Sequence, residues 1–268
     1  MKKKLCITYI TTSKYNIFWR DFYRSFDMNF CKDCDITFYV FTDDINGLKN
    51  AVSDYNNCDN VKFFKIDGEF TNDADLLKFR KFKILNYAES LYPQFDYVFY
   101  FNGNLICRIP VSLDDLFNGK DQFAVYHSLF DKNINNMKEQ LCKNTNSSAY
   151  FDVSKYNNYM YYQSGNFGAT SYKFQKIINF VESCRYYDEF YNMSNKYIPW
   201  HDETYYNKYI NILVNKDKDS VNILDGKMYL CSWLPQLNQY SKICKMLLIC
   251  KDYFWKQRRG LFLNEKDF

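Results

Sequence analysis

Between residues 5 and 101 the chain alternates short, nearly continuous apolar runs with stretches of helical periodicity, which leaves few architectures open to it. The runs lie at 5–10, 36–41, 61–66 and 97–101. Strands buried on both faces read this way, and they belong to parallel sheets covered by helices. After a polar turn at 11–16, Ile17, Phe18, Phe22, Ser25 and Phe26 recur at helical spacing over 17–30, and the second run is stopped by Thr42-Asp43-Asp44. Before the fourth run, Asp75 is placed to cap a helix whose apolar face carries Leu76, Leu77, Phe79, Phe82, Ile84 and Leu85, as far as Tyr92-Pro93. The pattern predicts an α/β fold with a Rossmann-like N-terminal half.

The remainder is more mixed. A strand is expected at 123–126 and another at 159–162, leading into Gly165-Asn166-Phe167-Gly168-Ala169-Thr170. Helices are expected over 171–187 and from 202 or 203 toward 212, with a short apolar run at 245–250. Residues 131–158 are polar and Asn-rich, and read as a long loop with some helix, a kind of segment that is often functional. The tail, 251–268, is basic at Lys251, Lys256, Arg258 and Arg259. With no repeat, Gly/Ser linker or break in composition, a single domain with a mixed central sheet is expected.

Composition closes several alternatives. At 268 residues and 47% hydrophobic content the chain can bury a large core, so disorder is excluded. Aromatics reach 21%, with Tyr 26 and Phe 25; much of this is core, although Tyr also suits carbohydrate sites, its ring packing on C–H faces while its hydroxyl bonds. A net charge of +4 is too mild for a nucleic-acid partner and suits an anionic small molecule held by a local basic cluster. Cys31-x-x-Cys34 lacks a second pair, and His127 and His201 do not complete a zinc site. The basic-then-apolar start is too short for a signal peptide and reads as the first strand. No stretch approaches the ~20 apolar residues of a membrane span. A cytoplasmic protein with reduced thiols is expected, in which the glycosylation patterns at Asn146 and Asn192 go unused.

Three segments carry the chemistry. The run 97–101 ends in Asn102-Gly103-Asn104, where ligands sit in open α/β sheets. Asn-Gly is equally the strongest short-range signal of a hairpin. The two amides hydrogen-bond but supply no anionic oxygen, whereas Mg²⁺-type sites rely on carboxylates. In Trp200-His201-Asp202-Glu203-Thr204, two adjacent carboxylates stand at an expected helix start. The helix dipole accounts for the acids but not for the Trp and His before them. Tyr161-Tyr162-Gln163-Ser164-Gly165-Asn166-Phe167-Gly168 is either a strand with a bulge or the wall of a pocket.

Together with Asn207-Lys208-Tyr209, these segments stand in the order and approximate spacing of glycosyltransferase family 6, which the chain resembles from about residue 5 to about residue 255. That family holds the blood-group A and B transferases, the α-1,3-galactosyltransferases and their bacterial relatives. Thr12-Ser13-Lys14-Tyr15 and Ile17-Phe18-Trp19 are similar to the bacterial branch. The resemblance implies a single GT-A type domain, with a nucleotide-binding half at about 1–104, an acceptor and donor-sugar half at about 105–250, and the tail as a candidate lid. It implies retaining transfer of N-acetylgalactosamine or galactose from the UDP-sugar, in α-1,3 linkage, onto an oligosaccharide such as fucosylated galactose.

By position, the resemblance assigns Ile10, Thr11 and Tyr15 to uracil and ribose, and Arg80 to the donor sugar. Asn102 and Asn104 match the metal-binding acids of the vertebrate enzymes; the bacterial branch carries Asn-x-Asn and works without metal, so no cofactor is expected. Gln163, Ser164 and Gly165 fall on the donor-sugar subsite, Gln163 and Gly165 on the positions that set galactose against N-acetylgalactosamine; a glycine at the second goes with the larger acetamido sugar, leaving volume beside it, and Asp202 matches another donor contact. His127, Trp200 and Glu203 match acceptor-contacting residues, although His127-Ser128-Leu129 replaces the usual His-Pro-Gly. Lys251 and Arg258 match tail cations that close over the diphosphate, with Lys245 in reserve. Glu203 is either the nucleophile or the group that orients the acceptor and stabilises positive charge. The rival readings are a transferase of another linkage and a non-catalytic glycan-binding protein.

Overall fold

A computed structural model of the chain describes residues 1–54, 58–66, 80–127, 145–156, 159–191, 201–229, 231–232, 240 and 243–248. Its strands are β1 (Lys4–Thr11), β2 (Asp35–Thr42), β3 (Val61–Lys65), β4 (Tyr97–Phe101), β5 (Leu105–Cys107), β6 (Gln122–Tyr126), β7 (Tyr162–Thr170), β8 (Asn222–Leu224), β9 (Cys231–Ser232) and β10 (Met246–Leu248). Its α-helices are α1 (Trp19–Asn29), α2 (Ile45–Ala51), α3 (Lys81–Asn86), α4 (Leu113–Phe117), α5 (Ser171–Tyr191), α6 (His201–Lys216) and α7 (Gly226–Tyr229).

Seven strands form one sheet in the order β3-β2-β1-β4-β7-β6-β8, the α/β architecture of the GT-A type. β1, β2, β3 and β4 are parallel; β7 runs antiparallel to β4 and β6, and β8 is parallel to β6. β7 is therefore the reversed strand of this sheet, and its first residues lie at the edge where the other strands end. The order also turns back between β1 and β4, the switch point at which open α/β sheets leave a crevice.

Alternation along the strands divides the core between the two faces. Leu5, Ile7 and Tyr9 pack with Trp19, Phe22 and Phe26 of α1, while Cys6 and Ile10 belong to a second cluster with Phe82 and Ile84 of α3, Phe174 and Ile177 of α5, and Tyr205 and Tyr206 of α6. Ring centroids stand 4.3 Å apart for Phe22–Phe26 and 4.4 Å for Tyr9–Phe22. Such pairs contribute about 0.5–1.5 kcal/mol each beyond area burial. The aromatic excess is thus largely core.

Several expectations need correction. The helix expected as far as Tyr92-Pro93 ends at Asn86, and a 3-10 turn over Glu89–Gln94 takes in Pro93. Proline disfavours the α conformation just before it. Asp75 and the residues to Phe79 lie outside the described residues. Asn102-Gly103 is not a hairpin turn, because β5 leaves β4 and pairs with β10 in a second sheet ordered β5-β10-β9. The pocket segment is a strand with a bulge: Ala124 pairs with Phe167 but Val125 with Gln163, so Ser164, Gly165 and Asn166 have no partner on β6.

Candidate active site

The site is assembled where β1, β4 and β7 meet at one edge of the sheet. Ile10 and Thr11 are buried at the end of β1. The following turn passes through Ser13 at φ 50°, a conformation that a non-glycine residue seldom takes. Asp43, at the end of β2, holds it by accepting bonds from Ser13 N at 2.9 Å and Asn16 Nδ2 at 3.0 Å. Tyr15 lies in the 3-10 turn that follows and packs beside Phe18 and Ile106.

The Asn102-Gly103-Asn104 turn is fastened to both neighbouring strands. The Tyr9 hydroxyl donates to Gly103 O at 2.9 Å, Leu105 N to Asn102 O at 2.9 Å, and Asn102 N to Gly165 O at 2.7 Å. A Cβ built on Gly165 would stand 2.3 Å from Asn102 Nδ2. The hollow expected beside a bound sugar is therefore filled by the amide of Asn102. The bulge is what lets β7 meet this turn while it departs from β6; bulges re-aim side chains in this way beside active sites.

Behind the bulge is a buried polar centre. Lys81 Nζ donates to Ser164 O at 2.7 Å and Ser164 Oγ at 3.0 Å, and it forms an ion pair with Asp202. Ser164 Oγ donates to Asp202 Oδ2 at 2.6 Å, and the Lys81 ammonium lies 4.6 Å from the centre of the Tyr100 ring. Burial, reinforced by the Asp202 charge, raises the Tyr100 phenol far above its usual range. The neighbouring Arg80 guanidinium meets Glu189 at 3.4 Å, and Glu189 also pairs with Arg185. Lys81 was not among the residues expected here. Its signal was positional, since Lys81 shares a helix face with Ile84 and Leu85, so an ammonium falls on the apolar stripe.

α6 carries the next acid, and asparagines set its register. Asn207 Nδ2 donates to Tyr162 O at 2.7 Å, while its Oδ1 accepts from Tyr162 N at 2.7 Å. One turn on, Asn211 makes the same pair with Met160, at 2.9 and 3.1 Å. Four helical residues rise about 6 Å, and two extended residues rise about 6.6 Å. The two periods match, so the amides read the backbone of residues 160 and 162 as a neighbouring strand would. This fixes Asp202 at Ser164 and sets Glu203 beside Tyr161. Burial raises the Tyr161 phenol strongly, and the adjacent Glu203 carboxylate, which accepts its hydrogen bond, raises it further.

His127 follows β6, with its N–H donating to Tyr161 O at 3.0 Å and its ring 5.6 Å from that of Tyr161. Burial lowers its pKa to about 4, so the imidazole is neutral at physiological pH. β10 runs toward the same edge, its last residue Leu248 pairing with Leu105, the residue after Asn104. Lys245 starts further back and bonds Asp115 at 2.6 Å, in the capping box of α4. Trp200, Lys251 and Arg258 lie outside the described residues. Cys31 and Cys34 are not disulfide-bonded, and among the described residues no group of three or more His, Cys, Asp and Glu is arranged to hold a metal.

The structure thus brings Ile10, Thr11, the 102–104 turn, Ser164, Gly165 and Asp202 to one edge, with Glu203 the next residue of α6. The chain matches the family model for glycosyltransferase family 6 over residues 1–253. It belongs to that family. A family 6 glycosyltransferase takes a nucleotide-sugar donor and a glycan acceptor. No curated protein matches the chain. Among the described residues no helix is long and apolar enough to cross a membrane.

Proposed function

We propose that this family 6 glycosyltransferase moves N-acetylgalactosamine or galactose from the UDP-sugar to a glycan hydroxyl, with retention and in α-1,3 linkage, without a divalent metal. The observation that carries the reading is the junction of Asn102 with Gly165 next to the buried Lys81–Asp202 pair. It joins the turn that faces a diphosphate to the strand that lines a donor sugar. On this reading, Ile10, Thr11 and Tyr15 hold uridine. Asn102 and Asn104 donate to ribose or phosphate oxygens, and Gln163, Ser164, Gly165 and Asp202 line the sugar.

Residues 102 and 104 offer neutral amides, a poor match for a hard cation that prefers carboxylate oxygens. The charge growing on the departing β-phosphate then falls to Lys251 and Arg258. One preorganised donor is worth about 3–4 kcal/mol, or about 10²–10³ in rate. Retention requires a nucleophile close beneath the anomeric carbon or attack from the leaving group's own face. Glu203, held by Tyr161, is the carboxylate for either route. His127 and Trp200 receive the acceptor. The tail closes over the diphosphate after the donor binds.

UDP release tests this reading. Purified protein with UDP-N-acetylgalactosamine or UDP-galactose and a fucosylated galactose acceptor is expected to release UDP equally in EDTA and in Mn²⁺, and NMR of the product to show an α-1,3 linkage. Glu203→Gln and Lys251→Ala are each expected to lower kcat by about 10²–10³. Loss of turnover in EDTA removes the metal-free mechanism, and full kcat in Lys251→Ala removes the cation assignment. Sugar binding without UDP release from any donor identifies a glycan-binding protein instead.

A further inference from the structure

Asp188 of α5 is a buried acid to which the mechanism above gives no part. It is 2% exposed, and donors from two other parts of the chain converge on it. Its Oδ1 accepts from Ser148 N at 2.7 Å, and its Oδ2 accepts from Tyr205 Oη at 3.0 Å and from Ser147 Oγ. The two serines belong to the stretch between β6 and β7, and Tyr205 belongs to α6. Ser148 is held again, its Oγ donating to Cys184 O of α5 and its O accepting from Lys208 Nζ of α6, both at 2.6 Å. A carboxylate taken out of water is costly unless such bonds satisfy it, so the acid and its donors fix one another.

Two routes lead from Asp188 to Glu203. An α-helix turns about 100° per residue, so Glu203 and Asn207, four apart, share a face of α6, and Tyr205 points to the opposite one. Asn207 ties the first face to Tyr162, and Tyr205 ties the second to Asp188. Rolling Glu203 out of place breaks both. The second route starts at Ser148. Three residues on, Phe151 packs with Tyr159 and Tyr161, its ring 5.5 Å from that of Tyr159, and Ile212 of α6 lies against the same cluster. Tyr161 in turn bonds Glu203. We propose that Asp188 is a positioning residue for transfer, setting Glu203 through Tyr205 and the wall around Tyr161 through Ser147 and Ser148. This rests on the roles given to Glu203 and the acceptor side above. The 102–104 turn is anchored separately by Tyr9, so the nucleotide is held independently of Asp188.

Variants of the full chain test this, assayed below their thermal midpoints with UDP-galactose, UDP-N-acetylgalactosamine and a fucosylated galactose acceptor. Tyr205→Phe should lower kcat about 10-fold or more and leave acceptor KM unchanged. Ser147→Ala should raise acceptor KM about 3- to 10-fold and leave kcat unchanged. Asp188→Leu should do both, while UDP affinity by calorimetry stays as in the wild type. Adding Tyr205→Phe to Asp188→Leu should then cost less than about twofold. Asp188→Asn should retain activity: its Oδ1 still accepts from Ser148 N, and its two N–H groups replace Oδ2 and donate to the Ser147 and Tyr205 hydroxyls, which accept as readily as they donate. An Asn variant as impaired as the Leu variant, or variants that lose thermal stability with unaltered kinetics, overturn the proposal. If Asp188→Leu fails to fold, the three milder variants decide. Hydrogen exchange reads the same coupling without turnover: it should rise at 145–156 and 201–207 together in Asp188→Leu, and a rise at one segment only overturns the proposal. A wild type that releases UDP from neither donor fails the transferase reading, whereas an active wild type without this division of kcat from KM fails this inference alone.

Discussion

The two sides of the site are built by different means. On the β1 side, position is set by backbone and packed rings: Tyr9 lies between Trp19 and Phe22, at 4.9 and 4.4 Å, and its hydroxyl holds Gly103 O. On the β7 side, position is set by buried polar side chains, Lys81, Asp202, Asn207 and Asn211. Apolar packing is non-directional and tolerates small shape changes at modest cost. A buried amide or ion pair fits one register, and it is costly when half-made. The 102–104 turn thus rests on a permissive foundation, and the acid-bearing helix on an exacting one.

The largest expected effect tests that contrast directly. Lys81→Met leaves Asp202 as a buried, unpaired charge and should cost about 3–5 kcal/mol in urea unfolding. Lys81→Met with Asp202→Asn should recover most of it. Phe26→Ala on the other side should cost a similar 3–5 kcal/mol, yet leave the KM for the donor unchanged. If Lys81→Met and Phe26→Ala alter KM alike, the contrast is false.

Asn207→Ala comes next. It strips both partners from Tyr162 and should destabilise by about 1–3 kcal/mol, with kcat falling more than donor KM because Glu203 loses its register. An unchanged kcat would mean that α6 is held by its apolar face alone.

The third effect is on pH and is comparable in size to the second. His127 titrates near 4 in the folded chain, below its ordinary value near 6.5, because burial disfavours the imidazolium. Between those values the unfolded chain binds the extra proton, so stability falls as pH drops from 7 to 4, by roughly 2–3 kcal/mol. His127→Gln should flatten that part of the curve in thermal unfolding measured across pH, and an unaltered slope would assign it to other groups.

Much of the sheet was legible because continuous apolar runs such as 36–41 and 97–101 have no other use in a chain of this kind. Ser164–Gly165 and Asp202–Glu203 were legible through their small residues and paired acids. Lys81 was not, because beside Arg80 it reads as one of two equivalent cations; only the helix phase tells which one turns inward. Asn207 and Asn211 were invisible as anchors because polar residues on a helix read as its wet face. The short elements β5, α4, β8 and β9 have too few residues to show a period. The filling of the Gly165 hollow depends on a neighbour 63 positions away along the chain, which no local pattern reports.

Tyr126, the last residue of β6, and Tyr162, the first of β7, are ladder partners, and His127 N still bonds Tyr161 O one step beyond them. Of the described residues between them, Ser147 Oγ and Ser148 N donate to Asp188, and Lys208 Nζ donates to Ser148 O. That stretch is therefore fastened to α5 and to α6, the helix that also carries Asp202 and Glu203.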